Sequence, residues 1–177
     1  MKTLTTEQRN ILWKKSGGDK SICSRFQNVE YMFQNGLTFS RTGMYAPTFR
    51  IKTDGGFDSK SNALFIPNLN SSLGVLASKM FKYLFKNFLC HTVQAEGDAI
   101  EEVILPILEG DALPTLVKQI IVHQQASARY DYGRHEQLAI DGLVYAAYGL
   151  SAGDIAEVET WYARRYPRLS AAQSKKQ

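Results

Sequence analysis

The chain has 177 residues, 44% of them hydrophobic, with 21 Lys/Arg against 17 Asp/Glu and a net charge of +4. That length suits one domain, or one domain with a helical appendage, and that composition excludes a largely disordered chain. No window approaches the roughly 18 consecutive apolar residues of a membrane span, and the opening MKTLTTEQRN lacks the apolar core of a signal peptide.

Residues 3–15 read as a short helix capped by Thr5 or Thr6, with Leu4, Ile11 and Leu12 as its apolar stripe. Gly17-Gly18 ends it in a loop, and Lys20-Ser21 lacks the spacing of a phosphate-binding loop. Phe26, Val29, Tyr31 and Phe33 suggest a strand running into an Asn35-Gly36 turn. Leu37 and Phe39 then alternate with Thr38 and Ser40, and Phe49 and Ile51 with Arg50 and Lys52, which predicts strands with apolar residues inward and polar tips outward. Gly43 and Asp54-Gly55-Gly56 mark turns, and Ala63–Ile66 closes the sheet.

Pro67-Asn68 opens a helix whose residues Leu69, Leu73, Leu76, Met80 and Leu84 share one face. Asn68 or Asn70 is its expected N-cap. Lys79, Lys82 and Lys86 share a second face, either a solubilising edge or a phosphate-contacting stripe. His91–Gln94 is expected to be extended, and Ile104–Ile107 to be a buried clip. Three helices follow. The first carries Leu113, Leu116, Val117, Ile120 and Ile121, and the second carries Leu138, Leu143 and Val144 and ends at Gly149. The third opens with a Ser151–Asp154 capping box, turns Ile155, Val158 and Trp161 or Tyr162 inward, and stops at Pro167. The tail after it is expected to fray.

Charge is unevenly spread. Residues 1–60 hold ten Lys/Arg and five Asp/Glu, residues 61–108 three and four, and residues 109–177 eight and eight. The excess sits with the Gly-rich polar strands, where a polyanion would be drawn, although a solvated basic surface reads the same way. Cys23 and Cys90 have no metal-site or disulfide-framework spacing, so reduced thiols in a cytoplasmic protein are expected. The chain has no GxSxG, HExxH, CxxC or EF-hand pattern. The acidic run Glu96, Asp98, Glu101, Glu102 has no histidine on its own side of the turn, and His91, His123 and His135 are isolated. Asp58-Ser59-Lys60 is a D-x-K fragment of the metal-nuclease pattern, a match short enough to arise by chance.

Three segments carry a resemblance. They are GLTFSRTGMYAPTFRI…GGFDSKSNALF, then LGVLASKMFKYLFKNFLCHTVQAEGDAIEEVILPI, then ARYDYGRHEQLAIDGLVYAAYGLSAGDIAEVETWYARRYP. In this order, over residues 25–168, the chain resembles the C-terminal target recognition domain of large bacterial adenine-specific DNA methyltransferases. These are the fused type IIG restriction–modification enzymes and the related enzymes of BREX-like phage defence. The second segment is the most specific. The catalytic N/D-P-P-Y/F motif of that family is missing, since Pro47, Pro67, Pro106, Pro114 and Pro167 are never adjacent. The resemblance therefore implies a recognition part without catalysis in this chain. S-adenosylmethionine would belong to a catalytic domain elsewhere, and the partners would be double-stranded DNA and a methyltransferase domain or subunit.

Arginine is the usual bidentate reader of guanine, while lysine and hydroxyl side chains commonly hold phosphate. Arg41, between two Gly-marked turns, is the first candidate for a base contact, followed by Arg50, Lys52 and Lys60. Thr38, Ser40, Thr42, Tyr45 and the triad Lys79, Lys82 and Lys86 would position the backbone. For Tyr45 and Arg50 the competing reading is packing and ion pairing inside the sheet. The expected architecture is α+β: a small curved mixed or antiparallel sheet on helices, with a helical C-terminal extension. The expected parts are an N-terminal helix and loop (1–24), a recognition domain (25–108), the extension (109–168) and a flexible tail (169–177). Two other functions compete. One is a docking module that binds a methyltransferase or defence subunit through the helices after Gly110. The other is a small metal nuclease built on Asp58.

Overall fold

The computed structural model describes residues 5, 7, 11, 31, 33–53, 62–95 and 97–174. The chain divides into two compact units, Met1–Met32 and Phe33–Gln177. Within the first, Glu7 and Ile11 are helical, in keeping with the helix expected over 3–15. Within the second, the described residues form a small antiparallel sheet followed by seven α-helices, an α+β fold.

The sheet has β1 (Gly36–Phe39) at its centre, flanked by β2 (Phe49–Lys52) and β3 (Ala63–Leu64). Leu37 pairs with Ile51 and Leu64, and Thr38 with Arg50 and Ala63. The period of two puts Leu37 and Phe39 into the interior and leaves Thr38 half-buried on the other face. Gly36 belongs to the strand and not to a hairpin turn. Glycine is required there because a Cβ would stand 2.6 Å from the Leu64 carbonyl oxygen of β3. Most of the strand expected over 26–33 lies outside the described residues, and Phe33 has a left-handed φ of 64° that a strand does not use.

The helix expected after Pro67 is two helices: α1 (Leu69–Ala77) and α2 (Lys79–Leu84), the latter continuing as a π-helical turn, Phe85–Leu89. Ser78 divides them, with ψ 162°. Its hydroxyl donates to the Val75 carbonyl at 2.6 Å and accepts the Phe81 N–H at 3.1 Å, ending one helix and capping the next. Asn68 precedes α1 in left-handed conformation and makes no side-chain cap. The single apolar stripe is also replaced. Leu76, Phe81 and Phe85 face a first core with Leu37 and Phe39, where Phe81 packs edge-on to Phe49 and stacks on Phe85. Val75 and Met80 face a second core with Leu113, Val117, Ile140, Val144 and Val158. These short helices are apolar on two sides because they lie between two cores.

After α3 (Gly97–Glu101) the chain runs without regular structure to α4 (Ala112–Ala126). The clip expected over 104–107 is not buried: Ile104 and Ile107 are 84% and 92% exposed and Leu105 and Pro106 half-buried, while Val103 before it is buried. A 3-10 turn, Tyr132–Arg134, leads into α5 (Glu136–Ala147), where Ile140, Val144 and Tyr145 are buried and Leu138 is exposed. The helix ends as expected. Gly149 has φ +67°, and the N–H groups of Gly149 and Leu150 return to the carbonyls of Ala146 and Tyr145. The capping box of α6 (Ala152–Arg165) is present, with Ser151 and Asp154 each satisfying the other's backbone N–H. Val158 and Tyr162 are its buried residues. Pro167 then begins α7 (Pro167–Ser174), so the expected frayed tail is helical to Ser174. The helices expected to form a separate extension supply much of the second core, against α1 and α2.

Candidate functional site

The segment 40–48 leaves β1 and returns as β2, held by contacts that reach far along the chain. The Ser40 N–H donates to the Thr48 carbonyl, and the Thr48 N–H to the Ser40 hydroxyl. Residues 41–43 pair with the extended segment 93–95. The Gly43 N–H donates to the Val93 carbonyl, the Ala95 N–H to the Arg41 carbonyl, and Thr42 bridges Gln94. At the other end of the segment, the Arg165 guanidinium donates to the Met44 carbonyl at 2.7 Å and lies over the Tyr45 ring. The Ala46 N–H donates to the Tyr166 hydroxyl at 3.1 Å, and the Tyr45 and Tyr166 rings are 5.0 Å apart. The segment is thus clamped by the 93–95 segment and by the end of α6.

This clamp encloses a cavity of about 200 Å³ lined by Ser40, Arg41, Tyr45, Thr48, Lys86 and Thr92, with Phe85, Cys90 and small residues completing the wall. The π-helical turn delivers Lys86. It turns Phe85 into the core, and the neighbouring Lys86 Nζ donates to the Thr92 carbonyl at 2.9 Å, using one of its three N–H groups. Arg41 and Lys86, 45 positions apart, therefore line one cavity, and no carboxylate stands among its described lining residues. Tyr45 and Met44 are exposed at the rim, 56% and 69%. Cys90 is a free, buried thiol that donates to the Gln94 carbonyl.

The predicted residues separate into distinct places. Ser40, Arg41, Tyr45 and Lys86 come together at the cavity. Thr42 is exposed beside it, in the bridge to Gln94. Thr38 sits half-buried at the centre of the sheet, and Arg50 lines a different groove beside β2. Lys52 is 7% exposed. Its Nζ donates to the Gln34 and Thr53 carbonyls and lies over the Phe65 ring, so it closes the strand end and is not available as an outward cation. Lys60 and the Asp58-Ser59-Lys60 fragment lie outside the described residues.

The lysine triad is not a stripe. The Lys79 side chain is 4% exposed, and its Nζ donates to both Glu159 carboxylate oxygens at 2.9 and 2.8 Å, 3.8 Å from Asp141 Oδ2. The Lys79 backbone N–H and Gln137 Nε2 both donate to Asp141 Oδ1, and the Tyr145 hydroxyl donates to Glu159. Lys82 is half-buried as a residue, and its Nζ donates to the Ala77 carbonyl at 2.6 Å and lies over the Tyr162 ring. Burial pulls its pKa down to about 8, opposed by Asp141 and reinforced by Lys79. Burial also pushes the Asp141 carboxyl and the Tyr145 hydroxyl above their ordinary values. These groups form the polar seam that joins α2, α5 and α6, and of the triad Lys86 alone reaches the cavity. His123 is likewise structural, with its Nδ1 3.3 Å from the buried carboxylate of Glu136.

Arg165, Tyr166 and Thr92 are the participants that sequence reasoning passed over. For Arg165 and Tyr166 the one sequence signal is the aromatic and basic density of WYARRYP, which at helical spacing also reads as an ordinary helix end. Among the described residues, no group of three or more His, Cys, Asp or Glu is placed to hold a metal ion, and no helix is long and apolar enough to cross a membrane. No family model, no curated protein and no solved structure matches this chain.

Proposed function

We propose that this chain is a DNA-recognition module that binds duplex DNA at the rim of the clamped 40–48 segment and carries out no catalysis itself. The observation that carries this reading is the convergence of Arg41 and Lys86, with the hydroxyl side chains of Ser40, Thr48 and Thr92, on one cavity without a described carboxylate. Guanidinium, ammonium and hydroxyl donors gathered at one cavity suit the phosphate backbone. Arg165 extends the basic rim, and the exposed Tyr45 ring gives it an apolar platform. Arg41 stays the first candidate for a base contact, because a guanidinium suits the two acceptors of guanine in the major groove. Lys86 and the hydroxyls of Ser40 and Thr48 suit backbone positioning. The resemblance of residues 25–168 to methyltransferase target recognition domains supports the finer reading, in which sequence-specific recognition serves an adenine methyltransferase.

The test is the salt dependence of duplex affinity in wild type, Arg41→Ala and Lys86→Ala. Each lost phosphate contact flattens the slope of log K against log salt by about 1. The proposal expects a steep wild-type slope, a flatter one in Lys86→Ala, and in Arg41→Ala a loss of preference among sequences. A wild-type affinity indifferent to salt would leave the chain as a docking module.

A further inference from the structure

A groove of about 340 Å³ lies beside β2, lined by Phe49, Arg50 and Ile51 and by apolar side chains of α1, α4 and α5, among them Leu73, Val117 and Ile140. Successive strand residues point to opposite faces, so a groove that touches three in a row runs along the strand's edge. One edge of β2 is taken by β1, and the groove follows the other.

The ladder shows what that edge offers. The Ser40 N–H bonds the Thr48 carbonyl, so the hydrogen-bonded pairs of β1 with β2 fall at Thr38–Arg50 and Gly36–Lys52. The backbone N–H and C=O groups of Phe49 and Ile51 therefore point into the groove side, where among the described residues no backbone group meets them. Gly74 and Ala77, the smallest residues of the wall, leave room there. Arg50 projects to the opposite face from Phe49 and Ile51. It is exposed, and its side chain makes no ion pair or hydrogen bond among the described residues.

We infer that this edge takes an extended segment of a partner protein as a fourth strand, with apolar side chains facing the helices and acidic side chains facing Arg50. Strand addition satisfies the outward backbone groups, and alternate side chains fill the groove. A helix or a small apolar molecule would fill the groove and leave those groups unmet. A second copy of this chain is disfavoured, because the register that uses both Phe49 and Ile51 sets Arg50 opposite Arg50.

The probe is a short fluorescent peptide alternating valine and glutamate, titrated against the full chain by anisotropy. Two N-methylated forms accompany it, one methylated at the valine amides and one at the glutamate amides. In a strand the N–H groups of one set face β2 and those of the other face away. One form is expected to bind about tenfold weaker or worse, and the other about as well as the parent. Hydrogen exchange at the Phe49 and Ile51 amides should slow on binding. Arg50→Glu, an exposed change whose fold circular dichroism can check, should lose the glutamate peptide and favour its lysine counterpart. Absence of wild-type binding, equal effects of the two methylations, or an Arg50→Glu chain with unchanged preference would each overturn the inference. A dimer that protects the same amides would overturn it in favour of a second copy.

Discussion

Lys79→Met tests whether the buried seam is structural. Methionine keeps the apolar stem and removes the ammonium that bonds both oxygens of Glu159 and faces Asp141. Breaking a buried ion pair by deleting one partner costs about 3–5 kcal/mol. Two features put this site at the lower end. The Glu159 side chain is 41% exposed and can rehydrate, and Asp141 Oδ1 keeps its bonds from the Lys79 backbone N–H and Gln137. Asp141 Oδ2 is buried without a hydrogen bond and loses its nearest cation, so the loss does not vanish. The expected loss is about 3 kcal/mol at neutral pH. With an m-value of about 2–3 kcal/mol/M, it moves the urea midpoint down by about 1–1.5 M. Adding Asp141→Leu should restore part of the loss, because the stranded carboxylate is then gone. A midpoint within about 0.3 M of wild type, together with weaker DNA binding and a flatter salt slope, would refute the reasoning and return Lys79 to a phosphate-contacting role.

Lys82 adds a pH signature. Its folded-state pKa of about 8 lies below the ordinary 10.5, so between those values the folded chain sheds a proton that the unfolded chain keeps. Stability therefore rises with pH through that window, and below pH 8 the buried charge is a standing cost. Urea unfolding at neutral pH and at about pH 9.5 should show this rise in wild type and its loss in Lys82→Met. A rise that survives Lys82→Met would point to another group. Ser78→Ala removes both hydroxyl bonds at the α1–α2 junction and should cost about 1–2 kcal/mol by the same assay. Tyr166→Phe leaves the buried Ala46 N–H without its acceptor. It should cost about 1–2 kcal/mol and speed hydrogen exchange at Ala46, and an unchanged exchange rate would count against the clamp.

Local physics made several elements legible in the sequence. The alternation Leu37-Thr38-Phe39 and Phe49-Arg50-Ile51 fixes two strands and their inner faces. Ser151 with Asp154, and Gly149 with its positive φ, fix helix ends, because each signal is complete within a few residues. The rest depends on partners far along the chain. Nothing near Lys79 announces Glu159, 80 positions on, so a buried ion pair looked like one step of a lysine stripe. Ser78 reads as an ordinary helix residue until two cores are seen to require different faces of the segment before and after it. Ile104 and Ile107 share composition with the buried residues around them, and only the path of the chain turns them outward. The cavity was half legible. Ser40, Arg41 and Tyr45 stand in one short segment, while the clamp by Arg165 and Tyr166 and the delivery of Lys86 by a π-helical turn are products of the fold.

The measurement that bears most directly on the central claim is retention of a randomised duplex pool on the full chain, at low and at near-physiological salt, with sequencing of the retained DNA. The account predicts a recovered motif, weakened in Arg41→Ala, and retention that falls steeply with salt. No retention at either salt would contradict it.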